Sequence, residues 1–186
     1  IEPSIELSEY SLFVSKAHIH NQNFNLAEKW LLFAEKYSSP NDQIQNDLRS
    51  IKLLYDLRTS KNENDFINIL ITNDIFSQKN KDSFQNEILL TIISVLKDEH
   101  NFSNKLSETI KVFDERIMPS RYIIHKIVTS ANSNNIGEFI LSANISINNK
   151  KWNEVHPYHL EILLSSLKKT ELNSIFKNLI IEILLE

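Results

Sequence analysis

The sequence predicts an all-α fold of stacked antiparallel helical hairpins, an α-solenoid of about five hairpins with a period of about 38 residues. The first observation behind this prediction is the single glycine among 186 residues, because β-hairpins and phosphate-binding loops need glycine where φ is positive. The second is a phenylalanine that recurs along the chain, and the third is an apolar pattern with helical spacing. Together they favour short turns in which asparagine takes the left-handed positions.

Phenylalanine recurs at positions 24, 66, 102, 139 and 176, at intervals of 42, 36, 37 and 37 residues. Pro40, Pro119 and Pro157 lie 79 and 38 residues apart, so a boundary without proline is expected near Lys79. A sustained period of this length is typical of helical repeats. An irregular helical bundle, whose short loops imitate such a period, is the alternative.

Apolar residues at helical offsets predict two helices within each period. His156 precedes a proline that suits a first helical position, as does Ser39, and Asn135 is expected to cap a second helix. The apolar segment 67–71 is the main candidate strand, but alternation with period two is rare in this chain, so it is assigned to a helix. The predicted helices are 8–21, 24–38, 41–60, 64–76, 82–98, 102–115, 120–132, 135–147, 157–169 and 171–185.

The composition excludes several classes of function. Hydrophobic residues make up 41 % and charged residues 24 %, which is typical of a globular domain. The lack of cysteine excludes disulfides, thiol nucleophiles and cysteine-ligated zinc. Gly137, as the sole glycine, excludes Walker loops, dinucleotide-binding fingerprints and the Gly-x-Ser-x-Gly motif. We therefore expect no catalytic residue, no cofactor and no bound metal, and hence a protein that is not an enzyme.

The charge and hydropathy of the chain indicate which partners and which cellular location to expect. A net charge of −4 argues against a nucleic-acid partner, since such proteins normally carry a basic excess. The longest strongly apolar uncharged run, residues 88–96, is far shorter than the ~20 residues of a membrane span. We expect a soluble single domain over residues 1–186 that is a fragment of a longer chain. Its location is not determined by the sequence, although a cytoplasmic one is preferred to a periplasmic one.

The stretch 22–34, with Phe24, Ala27 and Ala34, resembles the second helix of a tetratricopeptide repeat, and Pro40 follows where that family often ends a unit. The resemblance covers about one unit in five, and Ile69 stands in a later unit where the family has alanine, as does Lys105. It implies a tetratricopeptide-like α-solenoid. The last unit, residues 156–185, resembles the closing unit of large helical-repeat proteins from alphaproteobacteria, which implies no activity.

The histidines and the acidic clusters are the candidate chemical groups. His156 and His159 are three residues apart, a spacing that can bring two imidazoles to one metal, but a catalytic zinc site needs a third protein ligand that the sequence does not supply. His18 and His20 are two apart and lie on different sides of a helix. The acidic clusters at 98–100 and 114–116 lie where helices end, so they are expected to be solvated.

One loop combines basic and aromatic residues. Lys150, Lys151 and Trp152 lie between two predicted helices. An exposed tryptophan beside lysines can stack on a base or a peptide, so these three residues are candidate partner-binding residues. The interpretation that the sequence favours over binding is that Trp152 packs over the seam between two repeats while the lysines remain in water.

The C-terminal helix carries a second apolar stripe formed by Ile181, Leu184 and Leu185. The terminal repeat of a free solenoid should have a polar outer face. We therefore predict that this stripe packs on further residues, on a second copy of the chain or on a partner, and self-association through this helix is one of the expected outcomes.

The function that follows is a protein-interaction scaffold that binds a peptide or a partner helix on a helical-repeat surface. The first alternative is the helical superhelix of a larger enzyme, such as a cell-wall-acting one, whose catalytic domain lies outside residues 1–186. The second alternative is a nucleic-acid-binding solenoid, against which the net charge of −4 counts.

Overall fold

The computed structural model describes residues 2–37, 42–72, 83–98, 116 and 118–185. Every regular element in these residues is helical, which confirms the all-α prediction. The chain divides into two compact units, Ile1–Ile75 and Phe76–Glu186. The single repeat domain over residues 1–186 stays a prediction, as do the solenoid and its number of repeats.

The first unit begins with a 3-10 helix, Ile5–Tyr10, followed by four α-helices. These are α1 (Ser11–His20), α2 (Phe24–Tyr37), α3 (Asp42–Thr59) and α4 (Glu63–Thr72). Helices α1 and α2 pack against each other, and both contact α3, which in turn contacts α4. Trp30 of α2, Leu57 of α3 and Phe66 of α4 are almost fully buried, so the helices of this unit enclose large side chains in their core.

The second unit is organised around one helix with a wide apolar face. Its described elements are α5 (Ser83–Lys97), α6 (Arg121–Asn132), α7 (Ile136–Ile147), a 3-10 helix (Trp152–Glu154), α8 (Pro157–Lys168) and α9 (Asn173–Leu185). Helix α8 contacts α5, α6 and α9, while α7 packs mainly on α6. The four leucines of α8 are buried, so α8 is the centre of this unit and α7 lies at its edge.

Asparagine and proline provide the turns and caps that the sequence predicts. Asn134, Asn148 and Asn149 have positive φ angles of 53°, 49° and 59°, which are the left-handed positions that glycine fills in most proteins. Asn135 Oδ1 accepts a hydrogen bond from the backbone N–H of Glu138 at 3.3 Å, and so caps α7.

The helix bounds agree with prediction to within about two residues where both ends are described. The segment 67–71 lies in α4, so its assignment to a helix is confirmed. The predicted start at residue 8 is the exception, because residues 5–10 form a 3-10 helix and α1 begins at Ser11. The predicted helix 102–115 and Pro40 lie outside the described residues.

Candidate functional site

Helix α1 buries two serines beside Ile19, and it has a large apolar side chain on its exposed face. Ser11 and Ser15 are 1 % and 0 % exposed, whereas Phe13 is 74 % exposed. Ser15 Oγ donates a hydrogen bond to the carbonyl oxygen of Ala27 in α2 at 2.9 Å. Since the distance between packed helices depends on the side chains at the contact, the small Ser15 side chain lets α1 approach α2 closely. Phe13 takes no part in that packing.

A groove of about 820 Å³ lies between α1 and α3. Its volume falls within the range of ligand-binding clefts. The apolar residues that line it are Leu12, Phe13, Tyr37, Ile44 and Ile51, and the polar ones are Ser8, Glu9, Ser11, Lys16, Asp47 and Ser50. The groove is therefore an open channel of mixed polarity, with apolar side chains beside charged and hydroxyl groups.

Charges of both signs lie along the groove. Glu9, Lys16 and Asp47 are exposed, and Asp47 Oδ1 accepts a hydrogen bond from Gln43 Nε2 at 3.3 Å. Neither Glu9 nor Lys16 has an ion-pair partner among the described residues. These two groups are thus available to orient a bound molecule.

Sequence reasoning misses this groove, although α1 carries a signal for it. Leu12 and Ile19 are seven residues apart and lie on one side of the helix, whereas Phe13 lies outside that stripe. Two features of α1 could have identified the exposed phenylalanine. Its apolar residues occupy more than one side of the helix, and two of its serines are four residues apart.

The tryptophan of the predicted binding loop is buried. Trp152 is 9 % exposed, and its indole Nε1–H donates to Glu182 Oε1 of α9 at 3.4 Å. Trp152 therefore packs within its own unit, and the expectation that its ring is an exposed stacking surface is wrong. Lys151 is exposed and Lys150 is partly exposed, so the two lysines remain accessible beside a covered ring.

The C-terminal stripe is also covered in part by the chain itself. Ile181 is 3 % exposed and Leu184 is half-buried, while the side chain of Leu185 lies outside the described residues. Ile181 therefore packs within its own unit and is not available to a second copy or a partner. The reason is that α9 packs on α8 and α5, and these helices cover more than one side of it.

The paired histidines have separate structural roles. His156 Nδ1 accepts a hydrogen bond from the backbone N–H of Tyr158 at 3.1 Å and caps α8. His159 is 1 % exposed, and its Nε2 lies 2.9 Å from Ser146 Oγ of α7. In the described part of the chain, no group of three or more metal-ligating side chains is found.

The contact between His159 and Ser146 joins helix α8 to helix α7. Ser146 Oγ donates its one proton to the carbonyl oxygen of Ala143 at 2.6 Å, so the bonding network assigns the proton between the two side chains to His159 Nε2, which donates. Burial, together with Lys150 and His156, lowers the pKa of His159 to about 4. The imidazole is therefore neutral at pH 7 and ties α8 to α7.

A second cavity, of about 360 Å³, lies between α5 and α8 and contains a lysine. Lys168 Nζ donates to the carbonyl oxygens of Val95 and Leu96 at 3.1 and 2.8 Å, and to Asp98 Oδ2 at 3.1 Å. These bonds use all three ammonium donors. Lys168 thus caps the carboxyl end of α5 and does not provide an anion site.

The acidic clusters are only partly described. Asp98, at φ 52°, ends α5 in the left-handed conformation. Arg116 Nη2 forms an ion pair of 2.8 Å with Glu87 Oε2 of α5, and both side chains are largely buried. Residues 99–100 and 114–115 lie outside the described residues. The described members of these clusters therefore hold helix α5 in place.

Comparison with known proteins gives no match. No family model matches the sequence, and neither a curated protein nor a solved structure is significantly similar to it. The resemblance to tetratricopeptide repeats therefore stays a prediction. None of the described helices is both long and apolar enough to cross a lipid bilayer.

Proposed function

We propose that this chain is a non-catalytic interaction domain that binds a peptide or a partner helix in the groove between α1 and α3. The observation that carries the proposal is the arrangement of α1, where serines occupy the buried face and Phe13 is 74 % exposed at the groove. Covering one such side chain contributes about 1.5–3 kcal/mol, and aromatic residues at the centre of an interface are common hot spots.

The dimensions of the groove favour a helical ligand. Its walls are formed by residues 8–16 on one side and 44–51 on the other, which is about two helical turns along each wall. An amphipathic helix placed there would cover the aromatic ring with apolar residues at positions i, i+3 or i+4, and i+7. Glu9 and Lys16 would then interact with polar residues at its edges.

The helical pairing supports the solenoid part of the proposal. Phe66, Phe139 and Phe176 are each the fourth residue of α4, α7 and α9, the second helices of their pairs, whereas Phe24 is the first residue of α2. Equivalent positions for one residue type are expected of repeated units. We therefore propose a tetratricopeptide-like α-solenoid, in which the first helices of adjacent hairpins line a shared surface.

The two alternative functions receive less support from these residues. A nucleic-acid-binding solenoid needs exposed stacking rings and a positive groove, whereas Trp152 is buried and Glu9 and Asp47 line the groove beside Lys16. The superhelix of a larger enzyme would use the same interaction surfaces, so the groove is the feature to test in either case.

The test is a selection of phage-displayed random 16-residue peptides on the full chain. We expect enriched peptides with an amphipathic helical pattern, and Phe13→Ser should weaken their binding at least tenfold because the largest exposed apolar contact is lost. Leu32→Ser is the matched control, since Leu32 is 58 % exposed on α2 and does not line the groove. Titration calorimetry measures both dissociation constants.

Two results would contradict the proposal. One is a library that yields no peptide specific for the wild-type chain. The other is a set of peptides whose affinity falls equally with the Phe13 and Leu32 substitutions. Circular dichroism of both variants at the same concentration establishes that each one retains its helices.

A further inference from the structure

The charged side chains of the groove lie at opposite ends of its α1 wall. Glu9 belongs to the 3-10 helix that precedes α1, and Lys16 lies in the second turn of α1. Both line the groove, and both are exposed. The seven positions between them correspond to about 10 Å of helix. One end of this wall is therefore negative and the other end is positive.

The exposed phenylalanine lies between these two charges. Phe13 follows Glu9 by four residues and precedes Lys16 by three, a spacing that places side chains on one side of a helix. All three side chains line the groove. Together they form a stripe of acid, aromatic ring and base, which we call the α1 stripe.

The described part of the chain does not neutralise the charges of the α1 stripe. Neither Glu9 nor Lys16 forms an ion pair with another described residue, whereas Lys29 and Lys52 of the same unit each pair with a glutamate. The two charges of the stripe are also largely screened from each other, because about 10 Å exceeds the Debye length of ~8 Å in physiological salt. Each charge is therefore available to a partner.

The facing wall adds a second carboxylate. Asp47 lines the groove, and its Oδ1 accepts a hydrogen bond from Gln43 Nε2 at 3.3 Å, a neutral donor that leaves the negative charge uncompensated. A ligand with only basic groups would be repelled by Lys16, and one with only acidic groups by Glu9 and Asp47, since like charges brought together disfavour binding. A ligand with charges of both signs suits the groove.

We propose, on the basis of the binding function proposed above, that the partner of this groove is a helix whose side chains complement the α1 stripe. This helix carries a basic residue, a large apolar residue and an acidic residue, with the two charges two helical turns apart. The basic group meets Glu9, the apolar side chain covers Phe13, and the acidic group meets Lys16. Exposed ion pairs change affinity only a fewfold, so Phe13 provides most of the affinity and the charges select the partner.

The probes are the 16-residue peptides selected in the test above, titrated into the full chain by calorimetry at 50 mM salt. We expect the selected sequences to be enriched in opposite charges at positions i and i+7. Lys16→Glu should weaken their binding about fivefold, and 500 mM salt should reduce this effect to less than about twofold. A peptide whose acidic residue is replaced by lysine should instead bind the Lys16→Glu chain about fivefold more tightly than the wild type.

Lys61→Glu is the matched control. It makes the same change of charge at an exposed lysine of the same unit that does not line the groove. It should leave the affinity of both kinds of peptide unchanged. Circular dichroism establishes that each variant retains its helices.

The binding function and the complementary charges fail in different ways. A library that yields no peptide, or peptides that bind the Phe13→Ser chain as tightly as the wild type, would overturn the proposed function and this inference with it. Peptides that depend on Phe13 but carry no paired charges, or that lose no affinity with Lys16→Glu, would overturn the charge complementarity alone. So would an equal loss with Lys61→Glu, because that loss would reflect the net charge of the chain.

Discussion

Helices α1 and α7 have similar buried faces, but their surroundings differ. In both, two serines share the buried face with one large side chain, Ile19 on α1 and Phe139 on α7, while Phe13 and Leu141 are exposed. Helix α1 faces α3 across a groove with charged side chains along it, whereas residues 139–147 of α7 carry no charge. The comparison teaches that two helices with similar buried faces can expose apolar side chains in different surroundings, beside charged groups on α1 and on an uncharged face on α7.

The two helices also differ on their buried sides. Ser15 of α1 donates to a backbone carbonyl of α2, so its hydroxyl serves close packing and does not titrate. Ser146 of α7 accepts from the imidazole of His159, a group that gains a proton in acid. The first contact is sensitive to side-chain size, and the second is sensitive to pH.

The largest effect is expected at the close contact between α1 and α2. Ser15→Leu should lower the free energy of unfolding by about 3 kcal/mol, because the larger side chain forces apart two helices in direct contact. Phe13→Leu, on the exposed face of the same helix, should change it by less than about 0.5 kcal/mol. Urea unfolding of both variants at pH 7 gives the comparison. Equal losses would show that α1 and α2 are not packed as closely as the serines indicate.

A smaller effect is expected from acid at the buried side of α7. The pKa of His159 is lowered to about 4 in the folded chain, against about 6.5 when unfolded, so between these values only the unfolded chain binds the proton. The stability that depends on the neutral imidazole is complete above pH 6.5 and is lost as the pH falls toward 4. From pH 7 to pH 5 the loss should be roughly 2 kcal/mol.

Urea unfolding at half-unit pH steps, with His159→Gln as control, measures this loss. The glutamine amide keeps a donor near Ser146 but does not titrate. Burial raises the pKa of Asp56 in the first unit, which acts in the opposite direction in acid, so the difference between the two proteins isolates His159. Parallel stability curves for wild type and variant between pH 7 and pH 5 would disprove the assignment.

The smallest effect is expected at Gly137. Gly137→Ala should stabilise the chain by about 0.5 kcal/mol, since alanine is the better helix former and its Cβ would enter open space. Thermal unfolding of both proteins measures this gain. A destabilised variant would mean that an atom of the chain occupies the space over Gly137.

Local chemistry explains which parts of the fold the sequence could predict. The bounds of α2 and α3, and the cap at Asn135, depend on residues within a few positions of each other. Apolar spacing and capping side chains act at that range. The left-handed turn at Asn148 is of the same kind. The scarcity of glycine predicted that asparagine would take such left-handed positions.

The candidate site could not be predicted in this way. Trp152 and Ile181 are expected from the sequence to bind a partner, but they are buried because other helices of their unit cover them. Phe13 is a residue type that usually lies in the core, but it is exposed because the close contact of Ser15 with α2 uses the opposite face of α1. Which face of a helix is covered depends on partners that are distant in the chain.

The sequence by itself determined an all-helical chain, the positions of most helices and the chemistry of their turns, because these depend on contacts between residues near one another in the chain. Tertiary structure alone decided which apolar residues form the core and which remain outside. Small serines on α1 and α7 face inward because close helix packing depends on contacts between residues that are distant in the chain. The groove beside Phe13 and the aliphatic face at Leu141 follow from that packing.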